Sequence, residues 1–391
     1  MQITSRTLVL AAAALSATHA ADDTKPLPAP FATKSVSNKP KIVPRPDGAS
    51  LAVPRGFKIS EFARGFQRPR MMILGPSQEV LITDTIPEDG KVFILTNNGK
   101  DRKELVGKLD RPFGLAFYKD WLYIAESTSV KRYKYDVKAM SVGKGEEVVS
   151  LKDFGKGHNS RCLQFDDQEG KFYLGVGSAS DVSPGEPELR ATISLYNADG
   201  SGHEFIAQGT RNPTSIHFYP GTTTLWAAVQ ERDELGDDLV PDFFIQVQRG
   251  GFYGWPYAYL GPNEDPRNKG QREDLVKKTI VPDLLLGAHV AVLDFLFYTG
   301  NQFPKEYQGG AFMAFHGSWN RAERVGQTVV FVPFKDGKPI GEIREFLSGW
   351  MLGKDKREVW GRPVGLLQLP DGSILVTDDG GNKVWLISYK G

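Results

Sequence analysis

Five short clusters in this 391-residue chain carry side chains that could do chemistry. Gly155-Lys-Gly-His158-Asn-Ser-Arg161 offers an imidazole, whose ordinary pKa near neutrality suits a general base. The same phrase also suits a histidine that only closes a turn. Thr210-Arg211-Asn212-Pro213 sets a guanidinium fork, which matches a carboxylate, beside an amide donor. The alternative is an Arg211 bonded to neighbouring carbonyls. Residues Glu231 to Asp242 hold six carboxylates in twelve positions, broken by Gly236. Hard oxygen ligands at this density suit Ca²⁺, without the spacing of an EF-hand, and a plain acidic surface loop has the same composition. The aromatic turn Gly250-Gly-Phe-Tyr-Gly-Trp-Pro256 follows; it could line a planar ligand's site or simply pack. The fourth cluster is His316-Gly-Ser-Trp319-Asn-Arg321, and the fifth joins Gly361-Arg362-Pro363 to Thr377-Asp-Asp379-Gly-Gly-Asn382. Together, Arg111, Arg211, Arg321 and Arg362 with Trp319 would suit a flat ligand bearing several negative charges.

The elements that must bring these clusters together show as a repeated phrase. A small or apolar lead residue starts a short apolar run, a turn follows, and a second run ends near an acid or a glycine. Pro112-Phe-Gly-Leu-Ala-Phe117 leads to Trp121-Leu-Tyr-Ile-Ala-Glu126. Pro213-Thr-Ser-Ile-His-Phe218 leads to Leu225-Trp-Ala-Ala-Val229, and Pro363-Val-Gly-Leu-Leu-Gln368 to Ile374-Leu-Val-Thr-Asp378. Weaker copies begin at Pro69, Ser160 and Val292. Units of this length that read as strands predict an all-β propeller with long inter-strand insertions, because one such unit cannot bury its faces alone. Blades of a propeller converge on an axial pocket, where loops from different repeats can assemble one site.

The rest of the chain sets limits. Arg6, the apolar run Leu8–Ala17 and the small residues around Ala20 predict a secretory signal peptide over residues 1–20. That run is about half the roughly 20 residues a membrane span needs, and no later segment predicts a membrane crossing. Residues 21–54, rich in proline, lysine and serine, read as an extended tether, and residues 55–391 as the propeller. A single cysteine, Cys162, excludes an internal disulfide or a thiolate metal cluster, and its apolar strand suits a buried thiol. A net charge of +1 argues against nucleic acid as a partner. There is no Cys-x-x-Cys-His haem motif and no iron–sulfur motif, so a redox enzyme built on this chain would need a separate electron acceptor.

The ordered phrases carry a family resemblance. Arg111-Pro-Phe-Gly-Leu-Ala-Phe117, Gly209-Thr-Arg-Asn-Pro213, the Glu231–Asp242 loop, Gly251-Phe-Tyr-Gly-Trp-Pro256, His316-Gly-Ser-Trp-Asn-Arg321 and Gly361-Arg-Pro-Val-Gly365 with Asp378-Asp-Gly-Gly-Asn382 resemble the glucose/sorbosone dehydrogenase family. These are soluble sugar dehydrogenases that use pyrroloquinoline quinone (PQQ), and the chain most resembles the bacterial sorbosone dehydrogenase-like members. The resemblance implies six blades, PQQ in the axial pocket, and Ca²⁺ bridging to it. It implies oxidation of an aldose or a sorbosone-like sugar, with electrons passed to a soluble acceptor such as a c-type cytochrome or a quinone, in the periplasm or outside the cell. By similarity, His158 is the general base. Arg211 and Asn212 grip the cofactor, and Arg232 and Asp233 lie on the loop whose carbonyls hold the calcium. Arg111, Trp319, Arg321, Arg362 and Asp379 lie on cofactor-side or substrate-side loops. A metal-dependent sugar lactonase and a non-catalytic carbohydrate- or protein-binding propeller are the alternatives. One departure stands out. The soluble glucose dehydrogenases place an acid just before the base, and here that residue is Gly157. Without it, the base is expected to titrate near free imidazole.

Overall fold

A computed structural model describes residues 18–20, 26–154 and 157–391. The chain forms a six-bladed β-propeller with almost no helix. Blade 1 runs outward through Pro69–Leu74, Val80–Asp84, Gly90–Thr96 and Asp101–Leu109. Blade 2 holds Leu115–Tyr118, Trp121–Glu126, Ser129–Asp136 and Glu146–Ser150. Blade 3 holds Arg161–Asp166, Lys171–Val176, Thr192–Asn197 and Glu204–Gln208. Blade 4 holds Asn212–Phe218, Leu225–Gln230, Pro241–Gln246 and Leu284–Ala288. Blade 5 holds Val292–Phe297, Ala311–Phe315, Thr328–Val332 and Glu342–Leu347. In blade 6, Pro363–Gln368, Ile374–Asp378 and Lys383–Tyr389 are joined on the outside by Phe57–Arg64 from the other end of the chain. The six repeated phrases are thus the six innermost strands and the strands that follow them.

Burial explains why these strands were readable. The second strands of blades 1, 5 and 6 are buried along their whole length, packed on both faces, and so read as unbroken apolar runs. The outer strand Asp101–Leu109 is exposed over most of its length and reads as polar. Six apolar clusters fill the six gaps between neighbouring blades. Cys162 lies in the gap between blades 3 and 4, where burial pushes its thiol up to about 12. It is a core residue.

The segment before the propeller is laid against it. Lys41–Ile42 pairs in parallel with Glu358–Val359, and Ala52 bridges Ser348. The Phe31 N–H donates to the Leu235 carbonyl at 2.8 Å and the Asn38 N–H to that of Trp319 at 2.7 Å. Residues 26–54 therefore form a strap over the loops of blades 4, 5 and 6. Thr18–Ala20 pairs with Glu342–Arg344 at the edge of blade 5. The rest of the predicted leader lies outside the described residues. No helix among the described residues is long and apolar enough to cross a membrane.

Candidate active site

In each blade the start of the first strand pairs with the end of the second, so Asn212 faces Gln230, Arg161 faces Val176 and Pro363 faces Asp378. This register sends the lead-in loop and the second-strand end of every blade to one face. There they enclose an axial cavity of about 560 Å³, within the ~300–1,000 Å³ usual for small-molecule sites. Seven of the ten residues given a site role from the sequence line it: Arg111, His158, Arg211, Asn212, Asp233, Trp319 and Arg362.

His158 sits at the lead-in to blade 3; Gly155 and Lys156 of its motif lie outside the described residues. Its Nδ1 is 2.9 Å from the Ser178 carbonyl oxygen. A carbonyl only accepts, so Nδ1 carries the hydrogen and the lone pair is on Nε2, which makes no hydrogen bond with the described residues. Ser178 thus holds the ring where the soluble glucose dehydrogenases would use an acid. Gly157 explains the exchange. It has φ +139°, and a Cβ there would lie 2.3 Å from the Ala179 Cα and 2.7 Å from the Ser178 carbonyl oxygen. No side chain fits at position 157 in this backbone. The expectation of a near-free imidazole is corrected: burial, then the charge of Arg211, push His158 down to about 3. The shift favours the neutral ring.

Arg211 is buried beside it. It donates to Asp181 Oδ1 and to the Glu231 carbonyl, both at 2.7 Å. Asn212 donates to Gln230 Oε1 at 3.0 Å. Asp233 faces His289 at 3.2 Å. Burial opposes charge on His289, but its bonds to Asp233 and the Gly236 carbonyl outweigh that and raise its pKa. Glu231 is raised to about 8 and Asp242 to about 6, both chiefly by burial. On this wall the Asp181 Oδ2, Asn212 Oδ1 and Glu231 Oε1 atoms find no hydrogen-bond donor among the described residues. One donor, Arg232 Nη2, is likewise unpartnered, 3.7 Å from Asp181 Oδ2, so the surplus is chiefly of oxygen acceptors.

The opposite wall is cationic. Arg68, Arg70, Arg111 and Arg362 line it together with His316. The His316 Nε2 and Asp379 Oδ1 are 2.8 Å apart, and Arg70 holds the other oxygen of Asp379 at 2.7 Å. Arg362 donates through Nε to the His316 carbonyl at 3.0 Å. Burial and the charge of Arg362 push His316 down to about 3. Burial works to raise Asp379, but His316, Arg70 and Arg362 outweigh it and hold the carboxyl far below the usual range.

Three named residues lie off the cavity. Asp379 is behind His316 and Arg70. Arg232 is fully buried and paired with Asp265 at 2.6 Å, so only its backbone belongs to the calcium-loop expectation. Arg321 pairs with Asp238 at 2.8 Å and bonds the Asp237 carbonyl, outside the cavity lining. Arg68 and Arg70 went unnoticed in the sequence, as did the roles of His316 and His289. For the first pair a signal existed: Arg68-Pro69 repeats the Arg111-Pro112 and Arg362-Pro363 lead-ins.

Comparison with known proteins decides the family. The TrAA12-like family matches residues 51–241 and 263–390. The chain belongs to the TrAA12-like family. This member is 29% identical over 369 residues to an uncharacterised protein of Borreliella burgdorferi, covering 88% of this chain and 92% of that one. It is 30% identical over 138 residues to the pyrroloquinoline quinone-dependent pyranose dehydrogenase of Coprinopsis cinerea, a match spanning 31% of this chain and only 18% of that enzyme. Its fold superposes on the calcium structure of a Trichoderma reesei family AA12 enzyme with TM-score 0.76 at 19% identity, covering 90% of this chain and 98% of the other. The holo PQQ domain of the Coprinopsis enzyme gives TM-score 0.73 at 19% identity, with 88% and 98% covered.

Proposed function

We propose that this TrAA12-like protein is a PQQ-dependent sugar dehydrogenase, assisted by calcium, that oxidises an aldose or a sorbosone-like sugar. The observation that carries the reading is an imidazole fixed through Nδ1, its Nε2 without a partner among the described residues, on the wall of a cavity lined by five arginines. The residues fit the cofactor. A planar ortho-quinone with three carboxylates calls for several guanidinium groups, supplied here by Arg68, Arg111, Arg211 and Arg362, and an aromatic face, supplied by Trp319. The oxygen-rich wall with the 231–233 backbone suits a hard cation. Among the described residues no group of three or more His, Cys, Asp or Glu side chains could hold a metal, so the lactonase alternative gains no support there.

When bound, the quinone with its Ca²⁺ supplies a two-electron acceptor for the hydride leaving the sugar carbon. The protein does the rest. His158 Nε2 accepts the hydroxyl proton from the same carbon, so an aldose becomes its lactone. Ser178 keeps the ring in the tautomer that can accept. Arg211, fixed by Asp181 and the Glu231 carbonyl, is preset for an anion and needs no reorganisation to meet one. Electrons then pass to a separate soluble acceptor, a c-type cytochrome or a quinone, and the leader sends the enzyme to the periplasm or beyond.

Reconstitution tests the reading. The purified chain should bind PQQ in a calorimetric titration when Ca²⁺ is present, and reduce a dye on addition of at least one sugar. Binding that survives a chelator would remove calcium from the scheme. No binding under either condition would sink the proposal.

A further inference from the structure

Beside the axial cavity lies a second hollow of about 660 Å³ between the strap and the loops of blades 4 and 5. The two share Glu234 and Trp319 in their walls, so they adjoin. Two of the few large apolar side chains exposed on this protein flank the hollow: Phe31 on the strap, 57% exposed, and Trp319, 37% exposed. The backbone that carries both is tied down. Beyond the Phe31 and Asn38 backbone bonds, Asn320 donates to the Val36 carbonyl at 2.9 Å. The polar lining is just as specific. Thr33 Oγ1 accepts from the Asp237 N–H and Ser35 Oγ from the Gly236 N–H, which leaves each hydroxyl hydrogen free to donate. Glu234 is paired with Arg267, whose guanidinium also stands 3.6 Å from Asp181 in the axial cavity. Aromatic faces for C–H surfaces, free hydroxyls, and a carboxylate–guanidinium pair at the junction are the groups that recognise a saccharide ring. A lone hexose in the axial cavity would leave Phe31, Thr33 and Ser35 unused.

We propose that this hollow is an extension subsite for an oligosaccharide, whose reducing-end sugar reaches the axial cavity while the next ring packs between Phe31 and Trp319. The proposal deepens the sugar dehydrogenase reading and rests on it only for which end of the chain enters. Calorimetry on the full chain, with and without quinone and Ca²⁺, would compare maltotriose, cellotriose and mannotriose with glucose. At least one trisaccharide should bind tenfold or more tightly than glucose. Phe31→Ala should remove most of that gain, Phe31→Tyr should keep it, and glucose oxidation by the loaded enzyme should stay within twofold in both. Equal binding of all four sugars, or a trisaccharide gain untouched by Phe31→Ala, overturns the subsite. Because binding is read without turnover, failure of dye reduction by the parent protein would count against the dehydrogenase reading alone.

Discussion

His158 and His316 face the same cavity from different blades, and both are neutral at pH 7, yet different partners hold them. His158 gives its Nδ1 hydrogen to an uncharged carbonyl. His316 is held through Nε2 by the Asp379 carboxylate, whose charge Arg70 and Arg362 already engage. A carbonyl fixes a tautomer and supports the imidazolium only modestly, too little here to offset burial and Arg211; a carboxylate in a balanced ionic network locks the ring into the structure. The first arrangement suits a group that must take up a proton and release it. The second suits a strut. Polar partners around a buried imidazole are therefore not equivalent, and distance alone would rank the two sites as equal.

The largest expected effect separates the two roles. His158→Gln should lower sugar-dependent dye reduction on the order of 10²-fold or more, while melting close to the parent temperature. His316→Gln should do the opposite: a lowered melting temperature, with activity per folded molecule retained to a greater degree. Melting curves and turnover on both variants decide it. If the His316 variant keeps its stability and loses turnover, the base and the strut have been assigned the wrong way round.

Arg211→Ala is the next test, because this residue belongs to the His158 wall alone. Losing one charge-assisted contact should raise half-saturation for PQQ on the order of tenfold or more. Arg211 is also the main charge holding His158 down, so any acid limb of the pH–rate profile should move up toward the imidazole range. Unchanged half-saturation in a quinone titration would make Arg211 a structural residue.

The smallest effect is on stability against pH. Both histidines are depressed in the folded state and ordinary in the unfolded chain. Between about pH 6.5 and about 3 these two side chains bind more protons in the unfolded chain, so their share of stability should fall as pH falls through that window, while the raised Glu231 and Asp242 act in the opposite sense. Across thermal melts of the apo protein from pH 7.5 to 5, His316→Gln, which has one imidazole fewer to keep neutral, should lose less melting temperature than the parent, or gain more. Parallel profiles for the parent and the variant would mean that the fold accommodates imidazolium at His316.

The fold was legible because the two inner strands of each blade are largely buried and must be written mostly in apolar residues after a turn-forming lead-in. The half of the site carried on those lead-ins, at His158, Arg211 and Arg362, was legible for the same reason. The strap was not. An extended segment bonded to the loops of other blades has no periodicity of its own, so residues 26–54 read as a tether. The Arg70–Asp379–His316 network was equally invisible, because register across three blades joins residues some 300 positions apart that share no local pattern. Gly157 showed as a missing acid, but only the positive φ and the backbone of Ala179 reveal why no acid can stand there.

Blade 6 carries a consequence for how the molecule is made. Its outer strand is built from residues 57–64, and its partner, Lys383–Tyr389, is synthesised last among the described strands; Glu61 and Lys383, which meet across the seam, are 322 residues apart. Until residue 389 exists, the chain holds an open arc with unpaired backbone at its ends, the kind of edge that recruits other chains. Loop-closure entropy makes such a distant pairing slow. A chain threaded through a translocation pore in order of synthesis would therefore cross the membrane before its ring could shut, and the compartment that receives it would be where the enzyme first becomes a closed molecule.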